Sequence, residues 1–298
     1  MPHNHSHNDE GNQSKKRLII TMLLNFVITA AELIGGLFSG SLSLISDALH
    51  NFSDGISIIV SNIAIKISNI PKNERFTFGY KRAEIFAALI NTSVLVVISL
   101  FLIKEAIQKF INPQHIEGNI VIIVASIGLI ANVIGTLLLK SDSKKNINIR
   151  SSYLHLLSDA FSSLAVIIGG VLIWAYGIYW IDPILTILIS LYIIYESYEI
   201  LRKTVDIFMM KAPDNFSVSE ISESIRKLNG VSGIHHIHYW IMNDKQTHFE
   251  AHIEADDKKL SELDGLRKQI EELLHYNFNI DHITLQLEYS NCEANNYE

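Results

Sequence analysis

The 298-residue sequence holds one cysteine, Cys292. A single thiol closes no intrachain disulfide, so nothing covalent staples this fold. Basic residues are also short: 24 Lys and Arg stand against 31 Asp and Glu, a net charge of −7. The deficit is local. Residues 211–298 carry 16 Asp and Glu against 8 Lys and Arg, while the rest of the chain sums to about +1. An acidic tail on a near-neutral body argues against a nucleic-acid partner and suits a cationic ligand. A cleavable signal pattern is missing as well. The N-terminus is polar, and the first apolar run, Leu18 to Phe38, is long enough to span a bilayer rather than serve as a signal core.

What is present is apolar length. The chain is 48% hydrophobic, and the long runs fall between residues 18 and 203. They divide into six expected spans at 18–38, 42–65, 83–103, 119–139, 154–176 and 181–201. Each is about 20 residues, enough to cross about 30 Å of hydrocarbon. Lys15, Lys16 and Arg17 precede the first span. Lys66, Lys72, Arg75, Lys81 and Arg82 surround the 2–3 connection, and Lys140, Lys144, Lys145 and Arg150 the 4–5 connection. Arg202, Lys203 and Lys211 follow the sixth span, whereas the 1–2 and 5–6 connections have no Lys or Arg. By the positive-inside rule both termini are cytoplasmic. The expectation is a multi-pass protein of the cell (inner or plasma) membrane. Its parts would be a cytoplasmic tail over 1–16, a six-helix transmembrane domain over 17–205 and a cytoplasmic domain over 206–298. His3, His5 and His7 read as part of a solvated tail.

Polar groups interrupt the spans in a repeated pattern. Leu49-His50-Asn51-Phe52-Ser53-Asp54 and Leu154-His155-Leu156-Leu157-Ser158-Asp159 each set a His and an Asp four residues apart. On a helix, residues i and i+4 share a face. Two such helices packed together offer two nitrogen and two oxygen ligands, enough for one tetrahedral zinc ion. A buried interhelical hydrogen-bond network is the plain alternative, but two copies at one spacing favour metal. Asp47 lies on the same face, as a helper in the ion path or as a helix cap. Glu32, Glu84, Asn25, Asn62 and Asn132 must face the bundle interior or a water-filled cavity. Gly35-Gly36 and Gly169-Gly170 suit close helix contacts.

Beyond Pro213 the period changes. Ser217 to Leu228 reads as an amphipathic helix, Ile234–Met242 and Thr247–Ala255 as strands around a turn at Asn243-Asp244-Lys245, Leu260–Tyr276 as a helix and Ile280–Tyr289 as a third strand. The order αββαβ predicts a small two-layer α+β domain. It holds seven of the thirteen histidines. Strand alternation puts His236 and His238 on one face and His235 on the other, and gives His248 and His252 a common face. Neighbouring strands can bring such histidines (His235, His236, His238, His248, His252) within ligand distance, with Glu288 and Cys292 as further candidates. Trp240 reads as a core residue.

These residues together resemble a known family. The set is Ser41 to Asp54, then Phe78-Gly79-Tyr80-Lys81-Arg82-Ala83-Glu84, then His155-x3-Asp159, then His235-His236-Ile237-His238-Tyr239-Trp240. In this order, over roughly 15–290, the chain resembles the cation diffusion facilitator family in its bacterial zinc-exporter branch. The resemblance implies a homodimer of six-span protomers in the lipid bilayer, a cytoplasmic domain of ferredoxin-like topology, and metal/proton antiport by alternating access. It implies a transport site of His50, Asp54, His155 and Asp159, and a cytoplasmic site including His235, His252 and Glu288. Some members carry a His where this chain has Tyr80 and bind a third metal there, and some carry a His where it has Gln286.

Two imidazoles and two carboxylates suit Zn²⁺, with Cd²⁺ and Co²⁺ as competitors, and disfavour six-coordinate Mg²⁺ and Ca²⁺. Histidine binds metal only when neutral, so protons compete for His50 and His155. The expectation is therefore a divalent metal exporter, not an enzyme, with zinc as substrate and as regulatory ligand of the small domain. An intramembrane metalloenzyme, a passive metal channel and a membrane-tethered sensor are the other classes these ligands could serve. Four protein ligands leave a catalytic zinc no open position.

Overall fold

The computed structural model describes residues 6–140, 147–243 and 246–289, with only the helical backbone for 6–22, 147–149 and 151. Six long helices come first: α1 (Ser6–Ser39), α2 (Leu42–Ser68), α3 (Ala83–Ile111), α4 (Gly118–Leu139), α5 (Ile147–Tyr176) and α6 (Ile181–Phe208). A short helix, two strands, a helix and a strand follow: α7 (Val218–Arg226), β1 (Val231–Asn243), β2 (Gln246–Ala255), α8 (Leu260–Phe278) and β3 (His282–Glu288). The chain divides into two compact units, residues 1–62 with 90–200, and residues 63–89 with 201–298. His3 and His5, the side chain of His7, the lysines Lys144 and Lys145, the turn residues Asp244 and Lys245, and Cys292 lie outside what is described.

The helical unit is built inside out relative to a water-soluble bundle. Phe38, Phe101, Phe161, Trp174 and Tyr195 are exposed, while Glu32, Ser41, Ser46, Asp47, Asn51, Asn132, Asp159, Thr186 and Ser190 are buried. Apolar groups outside and polar groups inside are what a lipid surround selects. The protein is a helical membrane protein. Within α3, α4, α5 and α6, the segments 83–111, 118–139, 152–176 and 181–208 are long and apolar enough to cross a bilayer. In α1 the described apolar stretch is Leu23–Ser39. In α2 the interior polar residues Ser46, Asp47, His50, Asn51 and Asp54 dilute the apolar signal.

Close approach of helices depends on glycine. A methyl group added to Gly118 of α4 would sit 2.8 Å from the Gly170 carbonyl oxygen and 2.8 Å from the Trp174 amide nitrogen of α5. Backbone therefore touches backbone where α4 starts against α5. The Gly35 position on α1 would likewise meet Val124 of α4 at 2.7 Å.

The C-terminal domain has the αββαβ order the sequence predicts. Its sheet runs β1-β2-β3, with β1 and β2 antiparallel and β3 parallel to β2. Ser217 caps α7 in a reciprocal box with Glu220, which satisfies two otherwise orphaned backbone donors. Ile221, Ile225, Phe249, Ile253, Ile270, Leu274 and Ile280 form the core. Ile280 differs from expectation. It precedes β3 and is fully buried, because Asn279 takes a left-handed conformation, φ 54°, that ends α8 and turns the chain inward. Trp240 also departs: it lies outside this core, with its ring 5.3 Å from that of His248.

Candidate metal sites

Helix α2 carries His50 and Asp54 one turn apart, and α5 carries His155 and Asp159 in the same way. The two pairs meet. His50 and His155 have ring centroids 5.8 Å apart. Asp54 Oδ2 lies 3.5 Å from His50 Nε2 and 3.2 Å from His155 Nε2, and Asp159 Oδ2 lies 3.5 Å from His155 Nε2. His50, His155 and Asp159 each present one ligand atom, all within 4.8 Å of one another. These near contacts do not form hydrogen bonds. Asp54 Oδ2, His155 Nε2 and Asp159 Oδ2 are buried without a hydrogen-bond partner. Lone-pair atoms gathered around a point they do not fill between themselves are arranged as a cation requires.

The frame around the four residues is polar and tied. Asp47, one turn before His50 on roughly the same face, accepts from Ser162 Oγ at 2.7 Å and from Ser163 Oγ at 3.4 Å. It thereby ties α2 to α5 beside the candidate ligands, through two hydroxyls of α5. The cap on α2 belongs to Asp182, in the first turn of α6. Its carboxylate accepts from Ser41 Oγ at 2.5 Å, Leu42 N at 2.8 Å, Ser43 N at 3.2 Å and Ser43 Oγ at 2.6 Å. Sequence reasoning missed Asp182, because its partners are about 140 positions away. The signal it left was a run of three serines with no acid of its own at the start of α2. Glu84 accepts from Ser68 Oγ at 2.6 Å and joins the end of α2 to the start of α3.

A second cluster lies in the C-terminal domain. Glu288 receives His235 Nε2 at 3.4 Å and His252 Nδ1 at 2.8 Å, and the three ligand atoms fall within 4.8 Å. Gln286 Nε2 donates to Glu288 Oε1 at 2.6 Å, so an amide occupies the sheet position paired with His252. His236 and His238 lie side by side as the alternation predicts, but His235 does not take the opposite face, and the reason is a bulge. His235 pairs with His252 but His238 pairs with Glu250, leaving one extra residue on β1. His236 takes φ 50° there, which turns its ring to 4.8 Å from both His238 and His252. His238 is thus one step removed from the cluster. His248 is apart from it, between Trp240, His282 at 4.6 Å and Phe78 at 5.6 Å. Burial, and then the neighbouring His282, hold the His248 imidazole below its usual value.

A profile of the cation efflux transmembrane domain matches residues 18–209, and one of the cation efflux cytoplasmic domain matches residues 213–290. The chain belongs to the cation efflux family. Three relatives extend the match over almost the whole chain. The cadmium, cobalt and zinc/H(+)-K(+) antiporter of Bacillus subtilis is 35% identical, covering 99% of this chain and 94% of its own. Zinc transporter ZitB of Pectobacterium atrosepticum is 35% identical, covering 98% and 91%. Metal cation efflux system protein CzcD of Cupriavidus metallidurans is 30% identical, covering 97% and 91%. Cation efflux proteins are transporters, and the intramembrane metalloenzyme reading falls with that membership.

Proposed function

We propose that this cation efflux protein exports divalent metal, zinc first and cadmium or cobalt as competitors, in exchange for protons. His50, Asp54, His155 and Asp159 hold the ion in transit. The observation that carries this reading is the group of buried, unpartnered ligand atoms that α2 and α5 bring together. The relatives' activities on zinc, cadmium and cobalt agree with it. The donor set also supplies the coupling. An imidazole must lose its proton to bind metal, so acid on the exterior side displaces zinc, and the protonated site returns inward.

The remaining parts follow from the same reading. All six long helices span the cell membrane with both ends of the chain cytoplasmic, supported by the placement of Lys and Arg in the connections. Residues 1–16, 17–205 and 206–298 act as tail, transport domain and cytoplasmic domain. The αββαβ order is that of a ferredoxin-like fold without its first strand, and it serves homodimerisation. His235, His252 and Glu288 bind regulatory zinc and bias the transport domain. The test is zinc flux in proteoliposomes under an imposed pH gradient. Wild type accumulates zinc uphill, whereas His50→Ala and Asp159→Asn, folded as judged by thermal melting, do not. Accumulation by either variant at the wild-type rate removes the reading, and wild-type flux that never exceeds equilibration makes the protein a passive channel.

A further inference from the structure

The metal site leaves one buried carboxylate without a task. Glu32 lies two turns before the end of α1 and is fully buried. It receives one hydrogen bond, from Asn51 Nδ2 to Oε2 at 3.2 Å. Its Oε1 has no partner. That oxygen is directed at α4, where Gly128 makes room: a methyl group there would collide with it. One turn along the same face of α4 is Asn132, 1% exposed and with neither amide atom partnered. Asn51 Oδ1 is buried and unpartnered too. The charged groups that act on Glu32 are the carboxylates of Asp47 on α2 and Asp159 on α5, and α4 contributes no charged residue. No cation faces Glu32 among the described residues.

A buried carboxylate with only acidic and amide neighbours is costly while it stays bare. Positive charge placed on it removes that cost. The donors here are one carboxylate and two amide oxygens. Without imidazole or thiolate they lack what holds zinc, and oxygen donors suit hard cations. One negative charge on the ligand set matches one positive charge. Asn25, two turns before Glu32 on α1, adds another buried unpartnered amide oxygen and extends the polar strip along α1.

We infer that Glu32, Asn51 and Asn132 form a second site, besides the imidazoles that protons occupy once zinc leaves, for a monovalent counter-cation that is exchanged for the metal. This rests on the antiport reading above. The occupant is a proton on Glu32 or an alkali ion held by the three oxygens, and the shared chemistry is a hard single positive charge. Asn51 directly follows His50 in α2, so the two sites are carried on one helix.

The test measures zinc flux by the full-length protein in proteoliposomes, once with a pH gradient and once with a K⁺ gradient at equal pH. Zinc binding is measured separately in detergent. Wild-type flux driven by neither gradient defeats the antiport reading itself. Where wild type is driven, Glu32→Gln keeps zinc affinity within about threefold and loses gradient-driven flux by about tenfold or more, the pattern of a lost turnover interaction rather than lost substrate binding. The gradient that drives wild type and no longer drives the variant identifies the cation. Asn132→Ala, which keeps the carboxylate, raises the half-saturating concentration of that cation and leaves zinc affinity unchanged. It also keeps the test open if Glu32→Gln fails to fold. Wild-type flux from Glu32→Gln under both gradients, an unshifted cation dependence in Asn132→Ala, or an equal loss of zinc affinity in either variant overturns the inference.

Discussion

Asp182 is where the frame of the candidate metal site can be broken without touching a proposed ligand. Its carboxylate is 1% exposed and is the acceptor for the amides of Leu42 and Ser43 and for the hydroxyls of Ser41 and Ser43. Asp182→Ala leaves two backbone N–H groups orphaned at the start of α2. Each buried orphan costs about 1–3 kcal/mol, so the amides alone amount to about 4 kcal/mol. The serine hydroxyls can rotate to other acceptors and are left out of the sum. At about 2–4 °C per kcal/mol, the loss corresponds to a melting point about 8–16 °C lower. Thermal unfolding of the purified protein in detergent, followed by a probe of tertiary packing, reads this directly. Asp182→Asn keeps one acceptor oxygen and should fall between wild type and Ala. His50 lies about two turns into α2, so zinc affinity should weaken less than it does on removal of a ligand. A melting point for Asp182→Ala within about 2 °C of wild type would refute the claim that this carboxylate anchors α2.

Four further outcomes follow from named contacts. Asp54→Asn and Asp159→Asn each remove a charged ligand, and zinc binding in titration calorimetry should weaken by more than the roughly 10–100-fold typical of outer-shell changes. Gly118→Ala pushes α4 away from the Gly170 carbonyl and the Trp174 amide; overpacking of this kind costs about 1–3 kcal/mol and should lower the melting point. Gln286→His replaces the amide beside Glu288 and opposite His252 with an imidazole, and the C-terminal site should bind zinc more tightly in competition with a chromophoric chelator. The His248 imidazole is held below its usual value in the fold. It therefore takes up a proton more readily when unfolded, and its contribution is present above about pH 6.5 and lost as pH falls through the folded value. His248→Phe should gain melting temperature relative to wild type between about pH 7.5 and 5.5; equal slopes would exclude His248 as a source of acid sensitivity.

The transport-site candidates were legible because helix geometry turns a fixed spacing into a shared direction. His50 and Asp54, and His155 and Asp159, needed only the i, i+4 rule and two apolar helices. The αββαβ order was legible from the change of period after Pro213 and from the polar turn between the central strands. What stayed hidden depends on partners distant in sequence or on local breaks of period. Asp182 caps a helix that begins far from it in the chain. Asp47 shares a face with the ligands, but its serine partners on α5 decide what it does. Strand alternation wrongly sets His235 opposite His236 and His238, since one extra residue in β1 resets the faces and no glycine marks the bulge. Trp240 reads as core in the sequence, whereas on β1 it pairs with His248 and packs on that ring.

The central claim is that two imidazoles and two carboxylates of α2 and α5 bind the transported zinc. Zinc K-edge X-ray absorption on a His235→Ala/His252→Ala background, which leaves only the membrane site, tests it most directly. The account predicts one four-coordinate zinc per chain with nitrogen and oxygen ligands at about 2.0–2.2 Å, lost on adding His50→Ala with Asp159→Ala. A six-coordinate shell, or zinc retained after both ligands are removed, would contradict it.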